Sequence, residues 1–389
     1  MSHYVGLLLV LGRQASILNM RFIFSRLIYP SLFLLGIAIN VNGAEDINVL
    51  GRIHFNTQTA DFEKTREFYR LLGYTQGVNA FPKTNTHLMA RSLGMYDLCT
   101  YELDSIEVMS IPSAMGPTSI DLIQFAIPYN GEPPYSHPTH LGMAYAAFAT
   151  ATFSQDYNFL KSQSVSFLSE PYGKEGERFV FMQDPDGVYL KLVELPQSSR
   201  ENFESEAKVN IEAMPYVGIN VSNFEESLSF YESLGYTEIK FLPEQGSIEE
   251  GQAYGLDRPF SIRGADISLS EGDRHSLRLI QWLEPFDPEP PYPSPINHIG
   301  IHRIALAVQN LDIAVETLTA KGVEFLSQIA PCCSGTGLDE QGIINAIDPD
   351  GIFVELVGPI QQRPIQPEPA ICADANESSR TAWLNYQLP

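Results

Sequence analysis

Apolar positions along the chain change period in a fixed order, and the order comes round four times. A short strand is predicted at 53–56; Phe62, Thr65, Phe68/Tyr69 and Leu72 then fall on one helix face, with Gly73 as the stop. The same succession returns at 217–221, followed by Phe224, Ser227/Leu228, Tyr231 and Leu234 with Gly235 as the stop. Ser222-x-x-Glu225 has the form of a capping box for that second helix. Strands at 120–127 and 276–283 complete these two units. The pattern then restarts, with strands at 142–149 and 301–308 and helices at 156–162 and 313–320. Asp184-Pro-Asp-Gly187 and Asp348-Pro-Asp-Gly351 carry Pro and Gly where a type I turn wants them, and launch last strands at 188–193 and 352–357. The prediction is an α+β chain of four βαβββ units.

Residue identity repeats along with period. Phe68-Tyr-Arg-Leu-Leu-Gly-Tyr-Thr75 recurs as Phe230-Tyr-Glu-Ser-Leu-Gly-Tyr-Thr237, and Leu122-Ile-Gln124 as Leu279-Ile-Gln281. Glu132-Pro-Pro-Tyr135 recurs as Glu289-Pro-Pro-Tyr292, and the alignment from His140 to Ser169 matches that from His298 to Ser327 without a gap. Conserved order and spacing mark two tandem modules, 47–196 and 214–359, joined by a polar linker at 197–213 and followed by a Pro/Gln-rich tail at 360–389.

The N-terminal 44 residues stand apart: Arg21 and Arg26 precede an apolar run at 27–41 that ends in Gly43-Ala44. This reads as a signal peptide or an N-terminal anchor, and implies an exported protein, periplasmic or secreted. Beyond it no apolar run reaches membrane-spanning length. A formal charge of -23 opposes phosphate backbones, so no nucleic acid is expected as a partner. The four cysteines show no C-x-x-C spacing, so no thiolate zinc site is expected; export would permit Cys372 to pair with Cys332 or Cys333. No glycine-rich phosphate loop is present, and no nucleotide cofactor is expected.

The helix end F-Y-x-x-L-G-Y, the L-I-Q strand and the D-P-D-G turn, each present twice in order over 47–359, resemble the vicinal-oxygen-chelate (glyoxalase/bleomycin-resistance/dioxygenase) superfamily. The resemblance implies curved mixed sheets forming cups around a divalent metal, with ligands from the first and last strand of each unit. Mapped through the repeat, those positions are His54 and Asp121, Tyr145 and Lys191, Tyr216 and Arg278, and Arg303 and Glu355. Cups closed within each module would mix these groups. Cups crossed between modules would gather His54, Asp121, Arg303 and Glu355 in one, and Tyr145, Lys191, Tyr216 and Arg278 in the other. The first set implies a metal site (Zn, Ni, Fe or Mn) on His54, Asp121 and Glu355, with Glu355 or Asp121 as general base. The second, with two cations and no carboxylate, suits an anionic ligand. His302 adjoins Arg303, but strand alternation turns it away unless a bulge intervenes.

Two functions are expected from this resemblance. One is a metal-dependent lyase or isomerase of glyoxalase type acting on a small organic molecule, with an extradiol dioxygenase as a variant. The other is a metal-free small-molecule binding protein of the bleomycin-resistance type. One chain with four units completes its own cups, so a monomer is expected.

Overall fold

The computed structural model describes residues 47–79, 87–94, 101–112, 119–195, 208–272, 275–286, 296–332 and 340–361. The expected signal segment, most of the linker, the tail, Cys99, Cys333 and Cys372 lie outside the described residues. The first unit runs β1 Val49–Gln58, α1 Phe62–Leu71, β2 Gln76–Val78, α2 His87–Ser92, β3 Glu102–Ser110 and β4 Ser119–Ile127. The second runs β5 Gly142–Thr150, α3 Phe153–Ser162, β6 Ser166–Phe167, β7 Phe179–Gln183 and β8 Tyr189–Glu194. The third runs β9 Ile211–Ala213, β10 Tyr216–Asn220, α4 Phe224–Ser233, β11 Glu238–Phe241, β12 Gln245–Gly246, α5 Ile248–Ala253, β13 Phe260–Ser268 and β14 Ser276–Glu284. The fourth runs β15 Gly300–Val308, α6 Leu311–Ala320, β16 Glu324–Phe325, β17 Ala330–Pro331, β18 Gln341–Ile347 and β19 Phe353–Pro359.

The helix caps follow from local chemistry. Asp61 and Asn223 are extended and accept from the backbone N–H three residues on, which fixes the starts of α1 and α4. The cap of α4 is therefore Asn223, one residue later than the expected Ser222. Gly73 and Gly235 take φ of 100° and 102° and stop the two helices, a conformation that side-chain-bearing residues resist. Two short helices, α2 and α5, interrupt the first and third units where a plain strand succession was expected. The end of the expected linker is also ordered, since β9 pairs with β5.

Among the described residues the strands form two mixed sheets, and each takes one unit from each module. The first sheet is ordered β16-β18-β19-β15-β1-β4-β3-β2 and the second β11-β13-β14-β10-β5-β8-β7-β6. The joints are antiparallel pairs, β1 with β15 and β10 with β5. The modules of the sequence are thus crossed in the sheets. This topology also corrects the expectation of cups formed by curved sheets. Each sheet is an open path whose terminal strands, β16 and β2 in one and β11 and β6 in the other, do not pair, so neither curls closed. Closure needs long, tilted end strands that can bond each other; these ends are two to four residues long and serve as blunted edges.

The main core draws on one face of each sheet and on the four long helices, including Phe55, Ile304 and Leu306, Phe148 and Val217, and Tyr69 and Tyr231. Phe55 meets Phe148 edge to face at 6.4 Å. The recurring motifs act as staples here. Tyr69 at the end of α1 donates to Asp184 Oδ2 of the first D-P-D-G turn at 3.3 Å, and Tyr231 donates to Asp348 Oδ2 at 3.2 Å. Each aspartate also accepts two backbone N–H groups of its own turn, and burial pushes both carboxyls up to about 7. Among the described residues no helix is long and apolar enough to cross a membrane. Cys332 is buried and disulfide-bonded.

Candidate functional site

Strand alternation gives each sheet a second face, turned away from the main core. On the first sheet Phe55, Ile120, Leu122, Ile304, Val354 and Leu356 enter that core. Their neighbours His54, Asn56, Asp121, Arg303 and Glu355 therefore share the opposite face. The register sets them on two adjacent rungs. Arg303, Asn56 and Asp121 lie side by side on β15, β1 and β4, and Glu355, Ala305 and His54 on β19, β15 and β1. Crossed pairing of the units is what brings these four predicted residues together.

All four are buried. Arg303 donates through Nε to Glu355 Oε2 at 2.7 Å, with both side chains almost wholly out of solvent. Asn56 donates to Asp121 Oδ2 at 2.6 Å. Burial raises the Asp121 carboxyl to about 7, against the pull of Arg303, and the nearby Glu355 adds to the rise. Burial, then Arg303 and Arg52, bring the His54 imidazole down to about 3, so it is neutral at physiological pH.

His302 was discounted on alternation, yet the structure brings it to this face. Asn56 pairs with Arg303 but the next residue, Thr57, pairs with Ile301, so β15 carries an extra residue at His302. Ile301 and Ile304 both enter the main core, which leaves His302 and Arg303 on the same side, as a classic bulge does. The sequence signal for this was only conditional, because a bulge is a property of the pair of strands.

Apolar residues roof the cluster. Met89, Ala90 and Leu93 in and after α2 pack with Tyr101, Ile106, Ile123, Phe125, Ile296 and Phe353, and Asn345 donates to the carbonyl of Ser92. Between roof and floor lies a cavity with room for about one water molecule, floored by Asp121 and Arg303. On this face of the sheet polar atoms stand buried without partners: both ring nitrogens of His54 and of His302, Asn56 Oδ1, Asp121 Oδ1, Arg303 Nη1, Asn345 Oδ1 and Glu355 Oε1. Such a concentration is costly unless something else completes it.

The donors do not fit the divalent metal that the resemblance implied. Glu355 is committed to a guanidinium, Asp121 is held by Asn56 and pushed towards neutrality, and Arg303 would set a positive charge against the ion. Among the described residues no three or more His, Cys, Asp or Glu side chains are arranged to hold a metal.

The corresponding face of the second sheet gathers Tyr145, Lys191, Tyr216 and Arg278. Gly218 lies between Tyr145 and Arg278 across the strands, and a Cβ there would stand 2.2 Å from the Tyr145 ring, so the bare backbone is what admits the ring. The expected pair of free cations without a carboxylate is not found. Asp266 of β13, which the family positions do not include, takes Arg278 Nε and Nη2 at 2.6 and 2.8 Å, and Arg278 Nη1 donates to Tyr216 Oη at 2.9 Å. Arg278 is thus paired with a carboxylate. Around these groups lie Phe181, Tyr189, Tyr254, Phe260 and Trp282. His140 stacks on Tyr135 at the margin of this aromatic cluster.

Residues 213–356 match the family described as the Glyoxalase/Bleomycin resistance protein/Dioxygenase superfamily. Among solved structures, glyoxalase I from Zea mays is similar at 17% identity and a TM-score of 0.50, covering 79% of this chain and 92% of that one. A point mutant of the same maize protein is similar at 18% identity, with the same coverage and TM-score. At these identities the likeness is one of fold. A search of curated proteins finds no match to the sequence.

Proposed function

We propose that this chain, a tandem two-module member of the glyoxalase/bleomycin resistance protein/dioxygenase superfamily, is a metal-free binding protein for a small organic molecule. The observation that carries the reading is the buried Arg303–Glu355 ion pair, which stands where the family would place metal ligands. The apolar roof and the polar floor of unpartnered atoms support a ligand with an apolar body and one hydrogen-bonding head. Arg303 Nη1 donates to that head, and Asp121 Oδ1, Asn56 Oδ1 or Glu355 Oε1 accept from it. The space at rest accommodates about one water, so binding draws α2 back from the sheet. Export belongs to the same reading: the disulfide at Cys332 supports it, because such bonds persist chiefly in oxidising compartments.

The test is a thermal-shift screen of apolar and aromatic compounds bearing one polar head, run beside metal analysis of the purified protein. The expected outcome is well under one divalent ion per chain, before and after incubation with zinc, nickel, iron or manganese. Compounds that bind should raise the melting temperature equally with and without chelator, and Arg303→Met with Glu355→Leu, which removes the donor to the head, should abolish the rise. A stoichiometric ion, lost in a His54→Ala/Glu355→Gln double variant, would overturn the proposal in favour of a metal-dependent lyase or isomerase.

A further inference from the structure

The fourth unit carries an open groove of about 450 Å³ between α6 and the strands β16 to β18. Val315 and Phe325, both half-buried, line it together with Ile329 and Ile344 of the main core. Asp312, Glu316 and Thr319 of α6 and Gln328 form its polar margin. Ile344 faces the main core, so the groove lies across the first sheet from His54, Asp121, Arg303 and Glu355.

The repeat provides an internal comparison. Helices α3 and α6 begin and end at matching positions, and Phe167 pairs with Met182 as Phe325 pairs with Ala346. The match holds as far as Tyr172 with Phe179, whose counterpart is Ala330 with Ile343. In the second unit the equivalent place is filled from within. Tyr157 packs edge to face on Phe167, with ring centres 4.8 Å apart. Lys161 Nζ stands 5.2 Å from the centre of the Tyr157 ring and donates to its hydroxyl at 3.0 Å and to Glu170 Oε1 at 2.7 Å.

The fourth unit keeps the phenylalanine, as Phe325, and loses the rest. Val315 replaces Tyr157, Thr319 replaces Lys161 and Gln328 replaces Glu170, so ring, ammonium and counter-charge are all gone. Two carboxylates join the margin instead, Asp312 where the second unit has Ser154 and Glu316 where it has Asn158. Asp312 Oδ2 accepts from Gln361 N, and Glu316 is exposed. The groove therefore lacks an aromatic ring and a positive charge, and has gained the groups that would attract the second.

We propose that this groove binds a small aromatic amine. Its ring lies on Phe325 and Val315, where Tyr157 lies in the second unit, and its ammonium meets Glu316 and Asp312. The volume falls in the range of small-molecule sites, and burial of the ring supplies most of the affinity. An ion pair at an exposed margin adds only a few-fold. The groove is separate from the ligand cluster, so the two readings stand or fall independently.

The probe is tyramine, which joins the phenol of Tyr157 and the ammonium of Lys161 in one molecule, titrated into the intact protein by calorimetry and ligand-observed NMR. The expected Kd is on the order of 1 mM or tighter. Uncharged para-ethylphenol should bind a few-fold more weakly, and anionic para-hydroxyphenylpropionate at least about tenfold more weakly. Val315→Tyr with Thr319→Lys and Gln328→Glu rebuilds the filling of the second unit. It should lower tyramine affinity at least about tenfold while keeping both marginal carboxylates. Glu316→Gln, an exposed change that leaves the packing intact, should weaken tyramine a few-fold and para-ethylphenol not at all. Wild type that ignores tyramine, equal affinity for amine and acid, or a filled variant that binds as well as wild type would each overturn the proposal. Tyramine binding that emerges only with Arg380→Ala and Trp383→Ala would overturn it in favour of the chain's own tail as occupant. A wild-type dimer that the filled variant turns monomeric would overturn it in favour of a second copy.

Discussion

Glu355→Ala is expected to destabilise the protein by about 3–5 kcal/mol, because it leaves the buried Arg303 guanidinium without its counter-charge. Arg303→Ala should cost a similar amount, by stranding the carboxylate. Replacing both by apolar residues of similar size, Arg303→Met with Glu355→Leu, should recover most of that loss. A buried pair of charges gives little net stability over hydrophobic packing, and what is costly is breaking one half of it. The double variant should nonetheless fail to respond to any compound that stabilises the wild type. Denaturant unfolding of the four proteins, with and without such a compound, separates the two effects. A double variant as unstable as the singles would mean that the pair holds up the fold; recovered stability with retained binding would remove the pair from the site.

Asp348→Ala is expected to cost about 2–6 kcal/mol, since besides the part-buried Asp350 N it withdraws the acceptor from two buried donors, Tyr231 Oη and Ile352 N, at roughly 1–3 kcal/mol for each left unsatisfied. Asp348→Asn keeps an oxygen for the two backbone groups, and Tyr231 can turn its hydroxyl to accept from the amide. It should cost about 1 kcal/mol or less at pH 5. Burial raises the Asp348 carboxyl from 3.8 to about 7, so the folded protein keeps a proton that the unfolded chain releases. That retention stabilises the fold fully below about pH 4 and is lost as the pH rises through 7. The asparagine variant has no such proton, so its stability relative to wild type should improve from pH 5 to pH 8. Urea unfolding at the two pH values checks this; an unchanging difference would place the carboxyl in its ordinary range. Asp184, bonded to Tyr69 in the same way, should behave alike.

The two motif classes have a common physical cause. The tyrosine of F-Y-x-x-L-G-Y and the first aspartate of D-P-D-G are far apart in sequence and belong to different units. They recur together because one bonds the other across the core. The sequence shows the pair as two separate repeats, while the fold shows one contact made twice.

What the chain determined by itself was periodic and local. Helix spans, glycine stops, D-P-D-G turns and the four-fold succession of units each depend on neighbours a few residues away, so they are readable from spacing. The residues His54, Asp121, Arg303 and Glu355 could be marked by strand position. Tertiary structure decided how they combine. Pairing of β1 with β15 across modules put them on one face, and a bulge at His302 added a histidine that alternation had turned away. Asp266 reached Arg278 only through the β13–β14 register, and open sheets stood where cups were expected. Each of these is settled by hydrogen bonds between strands remote in sequence, and no local pattern of residues encodes which strand lies beside which.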